Sequence, residues 1–514
     1  MVRLVLLVLG LMWCLNLSAQ EEKTYATEIT EKGLYNDLLV LTSDSLEGRA
    51  TGKIGQVRAA NFIAKAFKAQ GLTAPVQGSY FQQFELVDKK WGDVYLNINK
   101  QKLAFFKEFY CYGQINVPEE TPYKVVFAGY GIEDSLYSDY KNCNVKGKVV
   151  VILMGEPIDS NGVSLVTQSN KVSAWAGDWK LKSRIAREKG AAHVFIVSVN
   201  SDEEFDKKVS SVKHHLEKPK MNFSAKTKKS DAAFFVSPSV AASLLRLKTS
   251  DFLSLKKTWG LHKPVFKIKP IKVRIKAESI ETPVATENVM GVLEGTDLKQ
   301  EHIVISAHYD HLGIHEEKIF RGADDDGTGV VTLMALAKAF AKAKQEGHGP
   351  RRSIVFMAFT GEEHGLLGSE YYADFPVLPL VNTVCNLNID MTGRLDANHA
   401  NDSNYVYVIG SDKLSAELKQ VNEQANSACC GLKLDYKFDA PDDPNKFYYR
   451  SDHYNFAKKN IPVIFFFNGI HDDYHKATDT IDKIIFSKVH KIANLVFSTT
   501  WHLANQTKRL QLNK

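Results

Sequence analysis

Residues 302–329, HIVISAHYDHLGIHEEKIFRGADDDGTG, constrain this chain more than any other stretch. An apolar strand runs directly into His308, Tyr309 and Asp310, and a turn holding Asp324, Asp325 and Asp326 follows before a helix. Carboxylates crowded at one strand end repel one another and raise each other's pKa unless a positive group lies between them. A divalent cation meets that need economically, because a bound metal becomes the dominant local charge.

From residue 287 onward the pattern alternates. NVMGVLEG and HIVISAHYD read as strands, residues 330–344 as a helix, and RSIVFMAFTGEE and TVCNLNID as strands. YVYVIG, a helix over 413–426, the strand IPVIFFFN and a helix over 487–504 complete the series. This order predicts an α/β fold, a mixed and mostly parallel sheet with helices on both faces. Ligands of such sheets gather beyond the carboxyl ends of the strands. His308 and Asp310, Asp325, Glu362 and Glu363, Asp390 and His475 all fall there. Singly, a His-x-Asp, a Glu-Glu pair or an acid at a helix start is ordinary surface chemistry, the last favoured by the helix dipole. Together, buried strand-end carboxylates on one sheet edge need a partner, and the set points to metal.

The remaining chain frames that core. Residues 29–41 and 57–70 repeat apolar residues at helical spacing on either side of the loop TSDSLEGRATGKIGQ. From about residue 80 to 276 the texture shifts to short runs rich in Val, Ile, Phe and Tyr broken by lysine-rich loops, which predicts a separate β-rich α+β domain inserted into the first. The expected division is 20–87 with 277–514 for the main domain and 88–276 for the insertion, consistent with a chain of 514 residues. A formal charge of +6 is modest for this size and does not suggest nucleic acid. Residues 1–19 have the layout of a cleaved export signal, Arg3 followed by an apolar run too short to span a bilayer. The expectation is a protein exported to the periplasm or medium, without stable membrane insertion. Five cysteines remain beyond that segment, at spacings that form neither a disulfide framework nor a thiolate metal site. A bridge between the adjacent Cys429 and Cys430 would be of an uncommon, strained kind.

The order HYD, ADDDG, GEEHGLLGS, NIDM, RSDHYNF and DYHKATD resembles the M28 family of zinc aminopeptidases, and TSDSLEGRATG resembles that family's amino-terminal segment. AGYGIEDSLYSDYKNCNVKGKVVVI resembles a protease-associated domain. The resemblance implies a zinc-exopeptidase fold and two zinc ions bridged by Asp325. His308 and Asp390 would complete one site, Glu363 and His475 the other, and Glu362 would be the general base. It implies peptide or protein substrates with free amino termini. Related activities on this fold are carboxypeptidases, dipeptidases and glutaminyl cyclases; a receptor-like ectodomain would show broken ligands, and none is broken here.

The chemistry of the residues agrees with those roles. Imidazole and carboxylate donors suit zinc, and a shared carboxylate can hold two ions about 3.5 to 4 Å apart. Asp310, two residues past His308, is expected to accept the other ring N–H of that histidine. Asp479 has the same relation to His475 or starts a helix. Tyr474 is the candidate for stabilising an oxyanion, against the alternative of a packing tyrosine. Asp452 and His453 are candidates for the pocket wall.

Overall fold

The computed structural model describes residues 20–113, 115–224, 232–261 and 268–513. The export-signal expectation concerns residues 1–19 and lies outside them. The chain divides into two compact units, Met1–Leu86 with Val284–Lys514, and Val87–Pro283.

In the larger unit, helix α1 (Glu31–Leu41) starts at Thr30, whose side chain accepts from the Gly33 N–H, and buries Leu34, Leu38 and Leu41. That is one stripe at helical spacing. Helix α2 (Ile54–Ala69) buries Ala59, Ala60, Ile63 and Phe67 in the same way. The sheet then follows. Strand β1 is the end of Lys272–Leu293, β2 is Leu298–His308, β3 Arg352–Phe359, β4 Thr383–Ile389, β5 Tyr405–Ile409, β6 Lys433–Asp435 and β7 Val463–Phe467. Their order in the sheet is β6-β5-β7-β4-β2-β3-β1. Strands β7, β4, β2 and β3 run parallel, whereas β1 and β5 pair antiparallel with their neighbours. This is the mixed, mostly parallel sheet that the alternating pattern predicts.

Strands β3, β4 and β7 are buried along their whole length: β7 is apolar throughout and β3 from Ile354 onward, whereas β4 carries Asn386 and Asn388, whose amides donate to the Ser306 and Ser451 hydroxyls. Successive side chains serve opposite faces. Ile303 and Ile305 pack with α1, α2, helix α3 (Gly329–Gln345) and the final helix α6 (Phe486–Asn505), while Val304, Val355 and Met357 join a second cluster on the other side. Helix α4 (Leu367–Asp374) and helix α5 (Ala416–Cys429) fill the connections. Helix α3 is apolar nearly all round, with residues such as Leu333, Leu336, Ala337 and Phe340 buried, as a central helix must be. Cys429 and Cys430, at the end of α5, form a disulfide.

The smaller unit carries a parallel run of Val117–Phe127, Val149–Leu153, His193–Val197 and Ala233–Val236, closed by the antiparallel Phe109–Tyr112. It holds more helix than the sequence reading expects. Asp202–Glu217 is a helix capped by the Ser201 side chain on the Glu204 N–H, with Phe205, Val209, Val212 and Leu216 buried. In the apolar run AAFFVSPSV, residues 232–240, Ser237 caps and Pro238 opens the helix Pro238–Leu245, since proline is favoured in the first turn. No helix among the described residues is long and apolar enough to cross a membrane.

Candidate metal centre

His308 is the last residue of β2 and is buried. Its Nδ1 lies 3.1 Å from the carbonyl oxygen of Asp310. That contact leaves Nε2 facing Asp325 Oδ1 at 3.3 Å and Asp390 Oδ1 at 3.6 Å. Asp390 follows β4, and its Oδ2 accepts from the Ser451 hydroxyl at 2.8 Å.

The acid turn Ala323–Thr328 is wholly buried, and Asp325 has non-helical dihedrals within it. Its three acids do different work. Asp324 accepts from the Gly393 N–H at 2.6 Å and lies 3.3 Å from His471 Nε2. Asp326 accepts backbone N–H groups from His308, Gly329 and Met391, so both its oxygens are engaged. Asp325 alone stands between the two halves of the cluster, with Oδ2 3.1 Å from His475 Nε2. Helix-start chemistry therefore describes only Asp326, which meets the first residue of α3.

Beyond β3 the positive φ of Gly361 turns the chain, and the side chains of Glu362 and Glu363 diverge. Glu363 Oε2 lies 3.0 Å from His475 Nε2, and Oε1 lies 2.8 Å from His311 Nδ1. Glu362 Oε2 stays 3.9 Å from His308 Nε2. Burial pushes the Glu363 carboxyl up, yet the imidazoles of His311 and His475 hold it down at about 2. Burial also raises Glu362, and although His308 opposes the shift, Glu363, Asp390 and Asp452 add to it, leaving this carboxyl well above the usual range. Two adjacent acids are thereby split into one that stays ionised and one suited to exchanging a proton.

Asp325 Oδ2, Glu363 Oε1 and Asp390 Oδ1 are buried without a hydrogen bond of good geometry. Orphaned carboxylate oxygens facing imidazole nitrogens are the donor set that a zinc ion satisfies. The residues present fit the metal.

Several expectations need correction. The carboxylate of Asp310 does not hold the His308 ring; the backbone carbonyl does, because the chain turns at the strand end. The carboxylate instead accepts from the Thr51 hydroxyl at 2.8 Å and the Glu362 N–H at 3.2 Å. Asp479 does not serve His475: its oxygens accept the N–H groups of Asp324 and Asp325 at 3.0 and 3.2 Å, and so hold the acid turn. Burial raises the Asp479 carboxyl to about 6. Asp452 and His453 are fully buried, His453 with its ring 4.8 Å from that of Phe465. They sit behind the pocket wall, not on it, because the short helix His453–Ala457 turns them inward. The wall is formed by Met391, Phe447, Arg450, Phe465, Phe467 and Ile470, with Tyr474 stacked on His475 at 3.9 Å.

Sequence reasoning missed Arg49 and His311. Arg49 is fully buried and donates to the carbonyls of Leu41, Tyr309, Arg321 and Gly322, pinning both β2 and the approach to the acid turn. Its signal was a lone arginine in a loop otherwise rich in small residues. His311 had none beyond its position one residue past Asp310.

Residues 288–500 match the model of Peptidase family M28. A "Probable zinc metalloprotease" of Pyrenophora teres f. teres is 35% identical over 123 residues, 23% of this chain and 25% of that protein. A "Probable leucine aminopeptidase" of Arthroderma otae is 27% identical over 236 residues, 45% of this chain and 61% of that protein. The chain thus spans about a quarter of the length of the first of these relatives. The solved aminopeptidase from Aneurinibacillus sp. strain AM-1 is 19% identical, with a TM-score of 0.54 over 95% of this chain and 97% of that one, which is a likeness of fold. The strand-end cluster and the sheet that presents it lie within the part of the larger unit, residues 288–500, that matches peptidase family M28.

Proposed function

We propose that this protein is an exported zinc exopeptidase, an aminopeptidase that hydrolyses the first peptide bond of substrates with a free amino terminus. The observation that carries the reading is the convergence on Asp325 of His308 and Asp390 from one side and Glu363 and His475 from the other. Those residues would hold two zinc ions, with Asp325 shared. Zinc bound there would acidify a water toward a pKa of about 7 and polarise the scissile carbonyl.

The chain's own groups supply the rest. Glu362 would take the proton from the attacking water and pass it to the leaving amine, a role for which its raised pKa suits it. Asp310 fixes the base by accepting its backbone N–H. Tyr474, whose hydroxyl burial holds in its protonated form, would donate to the developing oxyanion. The apolar wall of Met391, Phe447, Phe465, Phe467 and Ile470 favours a bulky apolar first residue. The composition of residues 1–19 supports action in the periplasm or medium. The protease-associated resemblance of the smaller unit supports a part in substrate access.

The test is the purified protein, analysed for zinc, against aminoacyl, amino-blocked and carboxy-terminal substrates. Two zinc ions per chain and cleavage of free but not blocked amino termini are expected. Cleavage of blocked substrates only would overturn the aminopeptidase reading, and one tight ion would favour a cyclase.

A further inference from the structure

Arg450 is the one lysine or arginine among the described residues that line the pocket beside His308, Asp325 and Asp390, and the proposed mechanism leaves it unused. Its backbone is held from both sides. The Arg450 N–H donates to the Phe447 carbonyl at 3.0 Å across the short turn Phe447–Tyr449, and the Phe447 N–H donates to Asp443 Oδ2 at 3.0 Å. The next residue, Ser451, donates to Asp390 Oδ2 at 2.8 Å, which ties the arginine to the acid that faces His308. The guanidinium carbon lies 5.0 Å from the centre of the Phe447 ring. Such a cation–π contact steadies the group without using its N–H donors. Among the described residues, no carboxylate or carbonyl accepts from them.

Charge is divided across this pocket. Asp325, Glu362 and Asp390 make its inner end anionic, and Met391, Phe447, Phe465 and Phe467, all buried, make its wall apolar. Arg450 and Ile470 are exposed, which places them at the rim. A substrate whose amino terminus and first carbonyl meet the inner end, with its first side chain on the apolar wall, presents its leaving residue to that rim. A guanidinium with free donors is matched there by a carboxylate, which it can take in a planar fork of two hydrogen bonds.

We propose that Arg450 determines specificity by receiving a carboxylate on the residue released by cleavage. The preferred substrates are then short peptides, dipeptides foremost, whose leaving residue ends in a free carboxyl group. An acidic second side chain offers the same chemistry. This inference rests on the exopeptidase reading above and extends it from the first residue to the second.

The test compares kcat/KM within two substrate pairs, for wild type, Arg450→Gln and Arg450→Lys. One pair is leucyl-phenylalanine and its amide, which reports the carboxyl terminus. The other is leucyl-aspartate amide and leucyl-asparagine amide, which reports an acidic second side chain. The members of a pair differ in charge at one group, so a general loss of folding or metal in a variant cancels in the ratio. In wild type the charged member of at least one pair is expected to be preferred by about fivefold, the scale of a partly exposed ion pair. Raising the salt should shrink that preference. Arg450→Gln should abolish it, and Arg450→Lys should keep part of it, since an ammonium retains the charge without the fork. Equal use of both members of each pair by wild type, or a preference that survives Arg450→Gln, would overturn the role of Arg450. Cleavage of N-acetyl-leucyl-phenylalanine, or of no substrate with a free amino terminus, would instead overturn the aminopeptidase reading, and this inference would fall with it.

Discussion

Asp310 accepts the backbone N–H of Glu362 at 3.2 Å through one carboxylate oxygen and the Thr51 hydroxyl at 2.8 Å through the other. The acid after β2 therefore sets the position of the residue after β3, and it is anchored from the amino-terminal loop. Replacing Asp310 with alanine should lower kcat by about 10- to 100-fold while zinc content stays near wild type. Steady-state kinetics beside elemental analysis checks both halves. Thr51→Val should reproduce the effect weakly, since one neutral hydrogen bond contributes about 1 kcal/mol.

The proposed general base gives a sharper test. Glu362→Gln keeps size and shape but cannot accept the proton, so kcat should fall by roughly 100-fold or more with metal retained. A variant that loads zinc normally and keeps most of its turnover would remove Glu362 from the mechanism.

Ser451 donates to Asp390 Oδ2 at 2.8 Å and leaves Oδ1 turned toward His308. Ser451→Ala frees the carboxylate to rotate, and zinc affinity should drop by about tenfold with little change in unfolding free energy. Chelator competition and urea denaturation of the same samples separate the two.

Arg49 places a whole guanidinium against four backbone carbonyls with no carboxylate in contact. Arg49→Met would leave those carbonyls buried and unpaired, at a cost of about 3 kcal/mol or more in urea unfolding. Lysine should not rescue it, because one ammonium cannot match the planar fork.

The metal-free protein should also respond to pH in a defined direction. Burial pulls the His475 imidazole down, but Asp325 and Glu363 raise it to about 10, above its ordinary 6.5. A pKa raised on folding stabilises the protein fully below about 6.5, and that contribution is lost as pH rises through about 10. The Tm of the chelated protein should fall across this window, and His475→Gln should flatten the fall. Loading zinc displaces the same proton, so metal uptake near pH 7 should release protons, which calorimetry in buffers of different ionisation enthalpy detects.

The sheet and the converging donors were legible because both follow from periodicity. The buried strands are mainly apolar, and His308, Glu362, Glu363 and Asp390 stand at or just beyond their carboxyl ends. What escaped depends on turns that the pattern does not encode. Whether Asp310 offers its carbonyl or its carboxylate to His308 is decided by one bend after β2. The role of Asp479 depends on which of two nearby loops its side chain reaches. The helix Asp202–Glu217 was readable in principle from Phe205, Val209, Val212 and Leu216, but its charged and polar surroundings masked the stripe.

The contacts that build the centre are also distant along the chain. Arg49 reaches Gly322 across 273 residues, Thr51 reaches Asp310 across 259, and Asp479 reaches Asp325 across 154. Contacts of such separation form only after long loops close, so they come late in folding. During synthesis the acid turn emerges well before Asp479 can secure its backbone, and Glu363 before His475 can face it. Metal capture at the proposed centre would therefore be tied to the arrival of the carboxyl-terminal segment, and zinc loading would mark a chain whose larger unit has finished folding.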